Sequence, residues 1–195
     1  MFVMHAILVH GWKGWPENAW FPWLRRELER RGWTTEALAL PRPILPDRRE
    51  WVRTIRSAIT GSDTVLVGHS LGCLAILWAL DEHDGPPVER VVCVSGFARP
   101  FVPIRQYREQ WFPRDFDFQA LKTKAKHWSV IHGSFDPLVP VNEGRWLAEH
   151  LGVPFTQTKR SGHLTQEERA FEVPEILDAV LSLLGCVIDA AALDG

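Results

Sequence analysis

Six stretches of the chain read as strands: residues 3–9, 34–40, 64–67, 91–94, 128–132 and 155–158. Most are continuous runs of Val, Ile and Leu. A strand with one wet face alternates apolar and polar residues, so continuous runs predict strands covered on both faces, as in a parallel sheet. Between them the apolar positions fall at helical spacing. Trp20, Trp23, Leu24 and Leu28 lie three or four residues apart, and Gly32 stops the run. Asp47 followed three residues later by Glu50 has the form of a capping box opening a helix over 47–59. Further helices are predicted over 71–82, 141–150 and 174–184, the last with Pro174 where a first helical turn tolerates it. This alternation predicts an α/β fold: a doubly wound, mostly parallel sheet of about six strands with helices on both faces.

Two stretches break the rhythm. Residues 97–118, FARPFVPIRQYREQWFPRDFDF, mix aromatics, prolines and charges without a period; structureless connections of that length are uncommon in compact domains and are often functional lids. The residues after Gly185 carry no clear pattern. With 195 residues the chain suits one domain, expected over 1–185, with a tail over 186–195.

Charge and cysteine usage exclude several classes. The net charge is −2, and the densest basic stretch, LRRELERR at 24–31, is interrupted by Glu27 and Glu29. Neither a nucleic-acid nor an anionic-membrane partner is expected, because both require clustered positive charge. The three cysteines, Cys73, Cys93 and Cys186, are odd in number and show no paired spacing, which argues against a disulfide framework. The start, MFVMHAILVH, lacks the basic segment and cleavage site of a signal peptide, and no apolar run approaches the ~20 residues of a membrane span. A cytoplasmic protein with reduced thiols is the expectation. His83 stands among Asp81, Glu82 and Asp84, but consecutive helical residues do not face one another, so no metal site is expected.

The chemistry concentrates in VLVGHSLGCL, residues 65–74. Gly68-His69-Ser70-Leu71-Gly72 is a G-x-S-x-G placed directly after a predicted strand and directly before a predicted helix. The glycines clear space for a sharp turn, which presents the Ser70 hydroxyl at the carboxyl end of the sheet, where open parallel sheets bind ligands. The alternative is a serine that merely caps the following helix. A hydroxyl needs a base, and in this motif the chain order is Ser, acid, His. Asp136, in HGSFDPLVP after the strand at 128–132, is the candidate acid, although an aspartate before proline is also a common turn. Of eight histidines, His163 in SGHL alone follows the last strand and precedes the last helix, with Gly162 to turn it inward. Ser70, Asp136 and His163 thus form a candidate catalytic triad. The backbone N–H groups of Leu71 and Trp12 are the candidate oxyanion hole, Leu71 at a helix start and Trp12 in the loop after the first strand.

His10, Gly11, Trp15, His69, Tyr107 and Trp111 are expected around the substrate, where an aromatic wall suits an apolar or aromatic acyl group. Trp20 and Trp23 are expected to pack the core. Arg99, Arg105 and Arg108 offer charge to an anionic substrate, although a solvated loop surface is the stronger reading.

Together, HGWKGWPENAWFPWL, ALPRPILPDRREW, VGHSLGC, HGSFDPLVP and SGHL resemble the small serine hydrolases related to retinoblastoma-binding protein 9, a compact branch of the α/β-hydrolase superfamily. The resemblance runs to about Gly185 and implies hydrolysis of a small ester or amide by Ser70, Asp136 and His163 without a cofactor. Partner binding in the namesake is associated with L-x-C-x-E. The nearest strings here, LGCLA at 71–75 and LGCVI at 184–188, lack the glutamate, so that partner is not expected. Two rivals share these residues: an acyltransferase or thioesterase on the same triad, and a binding protein that keeps a hydrolase fold.

Overall fold

The computed structural model describes residues 3–101 and 108–182. Tyr107, Arg105 and the tail at 186–195 lie outside the described residues. Strands β1 (His5–Val9), β2 (Thr34–Ala37), β3 (Thr64–His69), β4 (Val88–Val94), β5 (Ala125–His132) and β6 (Phe155–Gln157) form one sheet in the order β2-β1-β3-β4-β5-β6. Every neighbouring pair is parallel. The connections are helical: α1 (Phe21–Glu29), α2 (Arg48–Ala58), α3 (Leu71–Asp81), α4 (Arg108–Trp111), α5 (Phe118–Lys122), α6 (Val141–Leu151) and α7 (Pro174–Leu181).

The strand pleat sorts consecutive residues to opposite faces, and each face has its own core. Ala6, Leu8, Val65, Val67, Val92 and Val94 pack with Trp20, Leu24 and Leu28 of the α1 region and Ile176 and Val180 of α7. Ile7, Val9, Leu66, Val91 and Cys93 pack with α2, α3 and α6 on the other side. Every residue of α3 from Leu71 to Leu80 is buried, which explains why LGCLAILWAL is apolar all round. Asp47 caps α2, its Oδ1 accepting the Glu50 N–H at 3.0 Å.

The strands differ from the sequence reading at their ends. β4 and β5 start at Val88 and Ala125, earlier than expected, because their polar first residues are paired. Glu89 meets Lys126 at 2.6 Å, and Arg90 donates to Ser182 Oγ at 3.1 Å. β2 stops at Ala37. Leu38 N–H still reaches the Leu8 carbonyl at 3.0 Å, but Leu40 N–H turns to His10 Nε2 at 3.3 Å. Residues 97–118 are not structureless where they are described. They hold α4 and lead into α5, both too short to show a period, and aromatics of the segment pack against Trp78. Trp78 Nε1–H donates to the Trp111 carbonyl at 2.9 Å, and the Trp78 and Phe116 rings lie 4.2 Å apart.

One backbone crossing sets the position of everything downstream. The turn from β3 into α3 presses on the end of β1. A Cβ on Gly72 would lie 2.3 Å from the Val9 carbonyl oxygen and 2.6 Å from that of His10. A Cβ on Gly68 would lie 2.9 Å from both Cα and N of Cys73. These neighbours are backbone and cannot swing aside. Gly72→Ala is therefore expected to destabilise the protein by about 1–3 kcal/mol, the usual cost of overpacking, read as a lower urea midpoint at unchanged slope.

Candidate active site

Ser70 sits at the crossing with φ 55° and ψ −122°, a conformation a residue with a side chain rarely adopts. The surroundings hold it there: its N–H donates to the Val94 carbonyl at 2.9 Å, continuing the strand pairing one residue past β3. Its side chain makes no capping hydrogen bond to α3, which removes the plain helix-cap reading. The loop after β1 runs directly over it. A Cβ on Gly11 would come within 2.9 Å of Ser70 Cβ. Among the described residues, no acceptor takes the N–H of Trp12 or of Leu71.

His163 Nδ1 lies 2.7 Å from Asp136 Oδ2, so the two candidates from separate loops do meet. Asp136 is closely held. Its Oδ1 accepts the N–H groups of Leu138 and Val139, each at 2.9 Å, and His132 Nε2 lies 3.1 Å from Oδ2. Burial works against its charge, but the hydrogen bonds from His132 and His163, the charge of His163 and the Val139 N–H hold its carboxyl well below the usual range.

The loop carrying His163 is shaped by groups the sequence reading passed over. Gly162 has φ 98° and Leu164 φ 59°, so the chain doubles back on both sides of His163. The Glu168 carboxylate accepts the N–H groups of His163 and Thr165, each at 3.0 Å. From the elbow, His69 Nε2–H donates to the His163 carbonyl at 2.8 Å. Burial, with the nearby His163, pushes the His69 pKa down to about 3, which keeps the ring neutral. Gly162 was legible as a turn signal; the Thr165-x-x-Glu168 spacing, that of a capping box, is the signal that could have found Glu168.

Ser70 and His163 open onto one cavity of about 400 Å³. Its wall includes the expected Gly11, Trp12, Trp15, His69, Leu71 and Trp111, together with Phe97, Phe101, Phe112, Leu138 and Val139, which were not foreseen. His10 is not on this wall. It is buried, its Nδ1–H donating to the Gly11 carbonyl at 2.9 Å and its Nε2 accepting Leu40 N–H. Its ring meets Trp51 edge-on at 5.5 Å. It therefore fixes the first loop instead of touching substrate. Trp20 is core, as expected. Arg99 does not face the cavity with a free charge: its guanidinium binds Glu143 at 2.7 and 3.1 Å and covers the Trp146 ring. The side chain of Arg108 lies outside the described residues. Beside His83, two carboxylates are engaged by arginines, Asp81 by Arg114 and Glu82 by Arg48 and Arg56. Among the described residues no group of three His, Cys, Asp or Glu could hold a metal ion, and no helix is long and apolar enough to cross a membrane. A more open depression of about 580 Å³ runs along α2 between Arg49, Arg53 and His83, and none of the candidate residues reaches it.

A parallel six-stranded sheet with a strained serine at the β3–α3 turn defines an α/β-hydrolase fold, and solved structures agree. The ydeN gene product of Bacillus subtilis superposes with a TM-score of 0.86 at 29% identity, over 92% of this chain and 98% of that one. Est1E from Butyrivibrio proteoclasticus gives 0.69 at 15% identity, over 91% and 85%, a likeness of fold alone. The model of the family described as "Serine hydrolase" matches residues 6–182, and the chain belongs to that family. In sequence it is 30% identical to YdeN of Bacillus subtilis (strain 168) over 180 residues, 91% of this chain and 94% of the relative.

The neutral histidines carry a pH consequence. Burial, against the bond to Gly11, also lowers the pKa of His10, and that of His69 is pushed down to about 3. Unfolded histidines take up protons near pH 6.5, so stability is full above that pH and is lost as pH falls below it, by about 1.4 kcal/mol per pH unit for each such ring. His69→Gln, which keeps a donor at the Nε2 position, is expected to flatten the decline between pH 6 and 5 by about that amount for one ring, read from urea unfolding at each pH. Equal slopes in the two proteins would show that His69 takes up no extra proton on unfolding.

Proposed function

We propose that the protein hydrolyses small carboxylic esters or amides with an uncharged, apolar acyl group, through an acyl-enzyme on Ser70. The observation that carries this reading is the Asp136–His163 hydrogen bond behind a cavity onto which the strained Ser70 turn also opens. Ser70 Oγ attacks the substrate carbonyl carbon while His163 Nε2 takes the hydroxyl proton. The N–H groups of Trp12 and Leu71 receive the negative oxygen that forms, with the start of α3 adding a favourable dipole. His163 then gives its proton to the leaving alcohol or amine as the bond to the carbonyl carbon breaks. Water attacks the acyl-enzyme with His163 again as base, releasing the acid and restoring Ser70. Asp136 keeps the Nδ1 proton in place and stabilises the imidazolium.

The acyl preference rests on the wall. Phe97, Phe101, Trp111, Phe112, Leu138 and Val139 are apolar, and the charged Lys13 and Glu167 are exposed residues at the cavity rim. A cavity open to Ser70 favours catalysis over a purely binding role. A cofactor-free, cytoplasmic enzyme, and the narrower likeness to the relatives of retinoblastoma-binding protein 9, belong to the same proposal.

A fluorophosphonate probe tests the nucleophile. Intact mass is expected to show one adduct on the wild type and none on Ser70→Ala. His163→Ala and Asp136→Asn are expected to label about 10²–10⁴-fold more slowly, the usual contribution of a positioned base. No adduct on folded wild type would overturn the mechanism. The acyl preference has its own readout. With a common p-nitrophenol leaving group, kcat/KM is expected to rise about fourfold per added methylene from acetate to hexanoate, the worth of one buried methylene, and to fall for the hemisuccinate. A flat series on a protein that labels would remove the apolar acyl site and leave the triad standing.

A further inference from the structure

Asp136 has one donor more than a Ser-His-Asp arrangement needs. Its Oδ2 receives His163 Nδ1–H at 2.7 Å, and His132 Nε2 lies 3.1 Å from the same oxygen and 3.0 Å from the Val139 carbonyl. Both neighbours of that nitrogen are acceptors, so Nε2 carries the proton. The other nitrogen, Nδ1, is buried and has no hydrogen-bond partner among the described residues. It faces Gly144 of α6, where a Cβ would sit 2.4 Å away. The side chain is fully buried at the end of β5.

We propose that His132 is a positioning residue of the hydrolytic site, its Nε2–H sharing Asp136 Oδ2 with His163 and setting how much of that oxygen's charge reaches the catalytic imidazole. The proposal rests on the triad reading above. Other ionisable groups surround the pair. His69 stands on the elbow with its ring 4.9 Å from that of His163, and Glu168 binds the His163 backbone. On α6, beside Gly144, Glu143 is paired with Arg99. None of these donates to Asp136. Removing His132 leaves Asp136 in place, because Oδ1 keeps its two backbone N–H donors. What changes is the electrostatics. With one donor gone, the negative charge concentrates on the bond to His163, the imidazolium is stabilised, and the ring loses its proton at a higher pH.

The test is the rate of fluorophosphonate labelling of Ser70 against pH, which needs no natural substrate. His132→Phe is expected to move the acid limb of the wild-type profile upward by about half to one pH unit. His132→Gln, whose amide nitrogen can occupy the Nε2 position, is expected to keep the limb near the wild-type value. Gly144→Ala keeps the imidazole but presses on its Nδ1 side, and is expected to move the limb away from the wild-type value. If His132→Phe does not fold, a difference between His132→Gln and Gly144→Ala supports the proposal. Identical limbs in all folded variants overturn it, as does a glutamine variant that behaves like phenylalanine. A labelled wild type with immobile limbs removes only the role of His132. An unlabelled wild type removes the triad, and this proposal falls with it.

Discussion

The end of β1 and the start of α3 share a space that no Cβ can enter. Gly72 packs on the carbonyls of Val9 and His10, and Gly68 packs on the backbone of Cys73. Because helix and strand meet this closely, the one residue between them that must carry a side chain, Ser70, is driven into positive φ. The strain is sustained by a core in which α3 is buried from Leu71 to Leu80. The same contact brings the loop after β1 across the serine, so that the free N–H groups of Trp12 and Leu71 flank one cavity. The strained Ser70 turn and the two N–H groups beside it are thus two results of a single steric condition.

The second condition is electrostatic. Asp136 holds a negative charge where its side chain has no exposed surface. A buried carboxylate is costly unless its lone pairs are met, and here four N–H donors meet them: two from the following turn and two from imidazoles. The turn residues Leu138 and Val139 fix the carboxylate plane. The carboxylate then fixes His163, whose loop is closed from behind by Glu168 and His69. The site is a chain of hydrogen-bonded groups seated on a rigid sheet, each holding the next in place.

The parts of this arrangement that were legible in the sequence are those with a period or a fixed local order. Continuous apolar runs gave the six strands, and G-x-S-x-G between a strand and a helix gave Ser70. The order of acid and histidine after it gave Asp136 and His163, which are bonded to each other. Strand ends were misjudged where polar residues pair across the sheet, as Glu89 does with Lys126. Trp111 lines the cavity, as do Phe97, Phe101 and Phe112, which were not foreseen and come from a segment whose helices are too short to show a period. His10 was misplaced because a histidine before glycine at a strand end looks the same whether it faces substrate or holds a loop. The difference lies in a bond to Leu40, thirty positions away.

Four buried histidines make the general point. His10 uses both nitrogens on the backbone and ties the first loop to the exit of β2. His69 gives its Nε2–H to the carbonyl of His163 and is kept neutral by burial. His132 gives its Nε2–H to Asp136 and Val139, and its buried Nδ1 has no partner among the described residues. His163 alone lines the cavity with Nδ1 held by a carboxylate and with no partner for Nε2 among the described residues. Intrinsic proton affinity is nearly the same for all four rings. What differs is the set of backbone groups and carboxylates that occupies each nitrogen.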